Sequence, residues 1–256
     1  MTTDKTLRVA VIGYAFMGKA HSQAWRNVAA YFDVPAVEQA VLVGRNAGEV
    51  AAAAARFGWA ESATDWREVI ARDDIDIIDV CAPGNMHAEI AIAALEAGKH
   101  VIVEKPIANS VEEAERMLAA AEAATARGQH AIVNFNYRRV PAIEVARQLV
   151  AEGRIGPIRH VRAAYLQDWL NDPSSPMSWR LRRETAGDGG IKGSGGGALE
   201  QVTVDDAAWG TAQLSGGGVA QLEVTRLALG KKNGLTLEIF GEHGSLCFDL
   251  ENLNEL

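Results

Sequence analysis

Cysteine is scarce in this chain, and that scarcity sets the first limit. Cys81 and Cys247 are its only two in 256 residues, too few for a disulfide framework and in keeping with a reducing cytoplasm. Long apolar runs are missing as well. Nothing approaches the ~20 residues that a bilayer span needs, and the opening Met1-Thr2-Thr3-Asp4-Lys5 is not a secretory signal. No basic run offsets the net charge of -8, which argues against a nucleic-acid surface. What remains is a cytoplasmic globular protein with neither membrane nor nucleic acid as a partner. With 48% apolar and 23% charged residues, it can bury one large core or two ordinary ones.

The rest of the chain is organised around Gly98-Lys99-His100-Val101-Ile102-Val103-Glu104-Lys105-Pro106. A glycine closes a helix, and the apolar run Val101 to Val103 reads as a strand covered on both faces of a parallel sheet. Pro106 cannot donate to a ladder, so the strand stops there. Lys105 is thereby held at the carboxyl end of a buried strand, the edge where open α/β sheets bind ligands. There it can lower its pKa by desolvation and move a proton; these residues alone fit a solvated loop lysine as well.

Leu7 to Ile12 reads as the first strand, and Gly13-Tyr14-Ala15-Phe16-Met17-Gly18 follows it, opening a helix towards Tyr31. This is the dinucleotide fingerprint G-x-G-x-x-G with alanine at the second glycine. Gly13 allows the tight turn, Gly18 the close packing of helix on strand, and the helix N-terminus offers N–H donors to a pyrophosphate. The second strand, ending at Gly44-Arg45-Asn46, lacks the acidic residue that an NAD site sets against the ribose 2′-hydroxyl. Arg45 can pair with a 2′-phosphate instead, so NADP is favoured and NAD remains possible.

Asp65 with Glu68, and Ser110 with Glu113, read as capping boxes opening two helices. Ile75 to Val80 is a strand that ends in Cys81-Ala82-Pro83-Gly84-Asn85-Met86-His87, and His130 to Val133 is the last strand of this half. His87 is open between a first-turn helix residue and a ligand; on the same sheet edge as Gly13 and Lys105, contact with the cofactor is favoured. Cys81 reads as inert core. The β-α alternation predicts an α/β fold, a doubly wound parallel Rossmann sheet over residues 1–133.

These motifs together resemble the glucose–fructose oxidoreductase / myo-inositol dehydrogenase (Gfo/Idh/MocA) family. The resemblance rests on Gly13 to Gly18 with His21, on Ala82-Pro83 with His87, and on Ala97-Gly98-Lys99-His100-Val101 leading to Glu104-Lys105-Pro106. It continues through Phe135-Asn136-Tyr137-Arg138-Arg139-Val140-Pro141 and Gly153-Arg154-Ile155-Gly156. It implies an NAD(P)-dependent oxidoreductase passing hydride between nicotinamide and a carbinol carbon of a sugar, inositol or related polyol. On that likeness Lys105 is the catalytic residue. Gly13, Ala15, Phe16, Met17, Gly18, Arg45, Ala82, Pro83, Asn85 and His87 hold the dinucleotide, and Glu104 and Pro106 fix the lysine. No metal is implied.

The second half, 134–256, reads as a helix from Pro141, a long strand from Ile158 to Trp169, and strands near 219–226, 235–240 and 246–250 with Gly-rich turns. The resemblance implies an α+β domain with an open, mostly antiparallel sheet that pairs subunits into a homodimer or homotetramer. Asn136, Tyr137, Gln167, Trp169, Trp179 and Arg180 are the candidate substrate residues; indoles at strand ends serve equally as core or interface. The chain departs from the family after Trp179-Arg180. No histidine occurs between His160 and His243, so the helix on which the family carries a catalytic Asp/His pair is expected to be missing near 187–197, along with a C-terminal end. That departure opens two alternatives, a non-catalytic dinucleotide-binding sensor and an NAD-assisted glycoside hydrolase.

Overall fold

The computed structural model describes residues 5–170, 205 and 207–256. The chain divides into two compact units, Met1–Asn134 and Phe135–Leu256. The first holds six strands, β1 (Leu7–Ile12), β2 (Val37–Val43), β3 (Glu61–Ala63), β4 (Ile77–Val80), β5 (His100–Val103) and β6 (Ala131–Val133), in the order β3-β2-β1-β4-β5-β6. Every pairing is parallel. Helices α1 (Phe16–Tyr31), α2 (Ala47–Phe57), α3 (Trp66–Ile70), α4 (His87–Glu96) and α5 (Val111–Thr125) make the crossovers. The order reverses between β1 and β4, the switch point of a doubly wound sheet, as the β-α alternation predicted.

Period-2 alternation explains why both faces of this sheet are dry. Val9 and Val11 of β1 pack with Leu42, Val50 and Ala54 on the side of α2. Ala10 and Ile12 point the other way, into a core with Ile78, Val101, Val103 and the Ile90, Ala91, Ala94 and Leu95 face of α4. A fully buried Ile78 contributes about 1.5–3 kcal/mol of transfer free energy. Ser110 caps α5 by accepting from the Glu113 N–H at 3.2 Å, while Glu113 reaches back to the Asn109 N–H at 3.0 Å. Asp65 caps α3 through the Arg67 N–H at 2.8 Å, so its bond falls one residue short of the expected capping-box partner. β3 has no sequence signal: Glu61-Ser62-Ala63 is three residues, mostly exposed, on a sheet edge.

The second unit carries α6 (Pro141–Ala151) and strands β7 (Ile158–Leu166), β8 (Ala207–Gln213), β9 (Val219–Thr225), β10 (Gly234–Gly241) and β11 (Ser245–Asp249). Pro141 opens α6, where its fixed φ and missing N–H suit the first helical position. The sheet order is β11-β10-β7-β9-β8. Three pairings are antiparallel, but β7 and β9 run parallel from His160↔Val219 to Leu166↔Thr225. The sheet is therefore mixed, mostly antiparallel. β7 also ends at Leu166, short of the expected Trp169. No helix among the described residues is long and apolar enough to cross a membrane.

Candidate active site

The glycine turn is built by exclusion. Gly13 sits at φ 112°, in the left-handed region, and a Cβ on it would lie 2.6 Å from the Cys81 carbonyl oxygen. A Cβ on Gly18 would fall 1.9 Å from the Gly13 carbonyl oxygen. Glycine is thus required at both positions, and the turn lies directly against the tip of β4. Ala15 is the N-cap of α1, supplies no side-chain cap, and no acidic residue stands in the first turn. The Lys19 N–H bonds to the Ala15 carbonyl at 2.9 Å, so the N–H groups of Phe16, Met17 and Gly18 have no intrahelical acceptor. α2, α3 and α5 are by contrast closed by Asn46, Asp65 and Ser110. An open helix end against a glycine turn fits the pyrophosphate of a dinucleotide.

At the tip of β2 the Tyr14 ring lies over Gly44, where a Cβ would come within 2.1 Å of it. The Tyr14 hydroxyl donates to Glu49 Oε2 at 2.6 Å. Arg45 is exposed beside them.

Lys105 follows β5 and its bond to Pro106 is cis. Its backbone N–H lies 3.2 Å from Glu104 Oε2. The side chain is exposed, which corrects the expectation of a desolvated lysine. The last ladder pair here is Val103↔Val133, and beyond it the chain leaves the sheet, so its own unit does not strip water from the side chain. His87 is 2% exposed, with Nδ1 2.8 Å from the Pro106 oxygen and Nε2 2.9 Å from the Ala82 oxygen. Both ring nitrogens face protein carbonyls, to which a ring N–H donates. His87 therefore ties the loop after β4 to the loop after β5, and it can act on a nucleotide through the walls it sets. Pro83 leads into a 3-10 turn, Gly84–Met86, that presents Asn85 to solvent.

Beneath these loops lies a charged network that sequence reasoning missed. His21, on α1 one turn past Gly18, sets Nδ1 2.8 and 2.9 Å from the Asp79 carboxylate oxygens and Nε2 3.0 Å from Glu104 Oε1. The Trp25 indole donates to Asp79 at 2.7 Å, and the Asn134 amide donates to Glu104 Oε1 at 2.7 Å. Asp79 and Glu104 are 1% and 5% exposed. Burial pushes the pKa of His21 down, but hydrogen bonds to Asp79, Cys81 and Glu104 push it up further, to about 12. Burial likewise pulls Glu104 upward, and His21 and Asn134 more than reverse that, so it stays an anion. Burial raises the Cys81 thiol to about 12, leaving it protonated. Donor atoms of His21, Asp79 and Cys81 lie within 4.8 Å of one another, close enough for a metal. The imidazolium already stands where that cation would. The legible signal was Asp79 itself, a carboxylate in an otherwise apolar strand that demands a buried partner.

In the second unit, Asn233 gathers the candidate substrate residues. Its Oδ1 accepts from the Tyr165 hydroxyl and the Gln167 amide, each at 2.8 Å, and its Nδ2 donates to the Tyr137 hydroxyl at 2.9 Å. The Trp169 indole donates to Gln167 Oε1 at 3.3 Å. Tyr137, Gln167 and Trp169 thus form one polar rank, with Asn233 and Tyr165 as organisers that no sequence motif marked. Asn136 is exposed nearby in the same 3-10 turn as Tyr137. Trp179 and Arg180, and the expected departure near 187–197, lie outside the described residues.

Comparison with known proteins decides the family. Residues 7–132 match the "Oxidoreductase family, NAD-binding Rossmann fold", and residues 143–196 match the Gfo/Idh/MocA C-terminal domain. Levoglucosan dehydrogenase of Pseudarthrobacter phenanthrenivorans is 37% identical over 98% of this chain and 76% of its own length. The chain belongs to the Gfo/Idh/MocA family. Like other Gfo/Idh/MocA members it is an oxidoreductase with an NAD-binding Rossmann fold. Among solved Gfo/Idh/MocA structures, an oxidoreductase domain protein from Kribbella flavida matches with a TM-score of 0.93 and 48% identity, over 98% of this chain and 75% of that one. A levoglucosan dehydrogenase in complex with NADH matches with a TM-score of 0.92 and 37% identity, over 98% and 75%. The alignment with the Pseudarthrobacter enzyme runs 298 positions against 256 residues here, so at least 42 of them (298 − 256) have no counterpart in this chain.

Proposed function

We propose that this chain transfers hydride between a nicotinamide dinucleotide and a carbinol carbon of a sugar, inositol or related polyol, with Lys105 as the proton-transfer group. The observation that carries the reading is the placement of Lys105. It follows β5, two strands from β1 and its glycine turn, on the same carboxyl edge; at about 4.8 Å per strand the two tips stand roughly 10 Å apart, within the reach of a dinucleotide. The nicotinamide, when bound, supplies the hydride acceptor or donor. Lys105 takes the hydroxyl proton as the C–H electron pair leaves in oxidation, and returns it in reduction. The backbone of Gly13, Ala15, Phe16, Met17 and Gly18 holds the pyrophosphate, while Ala82, Pro83, Asn85 and the His87 strut form a wall and Glu104 and Pro106 set the lysine backbone.

Residues 1–133 then carry the nucleotide, and 134–256 carry substrate recognition and assembly. Asn136, Tyr137, Gln167 and Trp169 offer a sugar its hydrogen bonds and an aromatic face. Arg45 at the tip of β2 favours NADP over NAD. A homodimer or homotetramer through the second sheet is supported by the exposed Trp209, Leu222 and Val224 of β8 and β9. A relative named for levoglucosan makes anhydro-sugars the first substrates to screen.

The test is a panel of sugars, anhydro-sugars and inositols with NAD and with NADP, repeated with Lys105→Ala. Loss of about 100-fold or more in kcat is expected. Full activity in Lys105→Ala overturns the assignment, and a higher kcat/KM with NAD overturns the preference given to Arg45.

A further inference from the structure

Reaching three strand tips from one ring is unusual work for a histidine outside the glycine turn. His21 extends from α1 to Asp79 on β4 and to Glu104 at the end of β5, and the Asn134 amide after β6 lies 3.1 Å from its Nε2 while donating to Glu104. We infer that His21 is a positioning residue for the reaction centre: a resident imidazolium that keeps Glu104 ionised and oriented towards the Lys105 backbone, and that sets the field in which the Lys105 amine works. This rests on the reading of Lys105 as the proton-transfer group.

The geometry sets one ring against two carboxylates, with the Asn134 amide Nδ2 also 3.1 Å from Nε2. Two carboxylates, nearly removed from water, meet around a single ring; without a cation between them one must protonate or move apart. A neutral imidazole donates one proton and satisfies one carboxylate, whereas the charged ring donates to both. Glu104 Oε1 receives His21 and Asn134, which turns Oε2 to the Lys105 N–H. The charged and titratable groups around the ring are Asp79 and Cys81 from the β4 side and Glu104 from β5, with Lys105 next in the chain; Trp25 and Asn134 complete the shell as neutral donors. With the ring charged and the thiol protonated, Asp79, Glu104 and His21 sum to one negative charge beneath the lysine. Without the ring's charge the sum is two. The ring's charge thus halves the negative charge that the Lys105 amine faces.

The experiment has an arm that needs neither substrate nor variant. In the protein without cofactor, the side-chain 15N resonances of His21, assigned through its own backbone, are expected to report both ring nitrogens protonated at pH 9. A neutral ring at pH 9 overturns the inference. In the second arm, His21→Gln keeps a hydrogen-bond donor and removes the charge, and His21→Lys keeps a charge. His21→Gln is expected to bind NADH within threefold of wild type and to lose at least tenfold in kcat with little change in KM. His21→Lys is expected to recover part of the lost kcat. Equal losses in the two variants, or a loss in His21→Gln that falls on KM and not on kcat, overturn the role of the charge. Lys105→Ala separates the two levels: full activity there removes the reaction centre itself, while an inactive Lys105→Ala beside an unimpaired His21→Gln overturns this inference alone.

Discussion

At the scale of single residues, the glycines give the sharpest contrast. A methyl on Gly18 meets the Gly13 carbonyl oxygen at 1.9 Å, a backbone atom that cannot step aside, whereas one on Gly48 meets nothing closer than 3.6 Å. Gly18→Ala is therefore expected to destabilise by about 1–3 kcal/mol and to abolish NADH binding. Gly48→Ala, within α2, should stabilise by about 0.5–1 kcal/mol. Urea denaturation with an NADH titration checks both, and equal effects would refute the packing argument. The cysteines differ as well. Cys247 is exposed, while burial holds the Cys81 thiol up near 12; a thiol reagent at pH 8 should consume one equivalent fast and the second only on unfolding. Gly13, Gly18 and Lys105 were readable because their motif is local and contiguous. His21 was readable only as part of the family pattern, and Asn233 and Tyr165 not at all, since the partners that give them meaning lie far along the chain. Asp79 is the intermediate case: the sequence announces a buried charge without naming its partner.

Between elements, charge and caps decide more than propensity. Ser110→Ala removes the oxygen that accepts the Glu113 N–H and should cost about 1 kcal/mol, measurable as a lower urea midpoint with an unchanged slope. The contact of α1 with β4 and β5 depends on pH through His21. Its folded pKa stands far above the ordinary value of 6.5, so the stability it contributes is fully present below pH 6.5 and is lost progressively as pH rises towards 12. The wild-type urea midpoint is expected to fall between pH 7 and pH 10, and to fall less in His21→Gln; parallel declines would show that other groups set the slope. Strands with a buried face and helices with Asp or Ser caps were legible element by element. β3 was not, because a short, polar edge strand is recruited by its neighbour β2 and has no pattern of its own. The parallel run of β9 beside β7 was equally hidden: alternation says that a strand has two faces, but not which neighbour it pairs with or in which direction.

On the scale of the whole molecule, both hydrophobic clusters of the first unit are, among the described residues, made of residues that precede Asn134. A fragment ending at Asn134, which keeps the Glu104 bond, is expected to fold and to bind NADH within about tenfold of the intact chain, a difference of about 1.4 kcal/mol; a fragment that is unfolded by circular dichroism would refute this. The open first turn of α1 carries a consequence beyond catalysis. At a hundred times its dissociation constant a bound dinucleotide adds about 2.7 kcal/mol to the folding equilibrium, and in a cell that margin separates a long-lived polypeptide from one that proteases remove. Coenzyme supply would then govern how much of this protein survives as well as how fast it turns over.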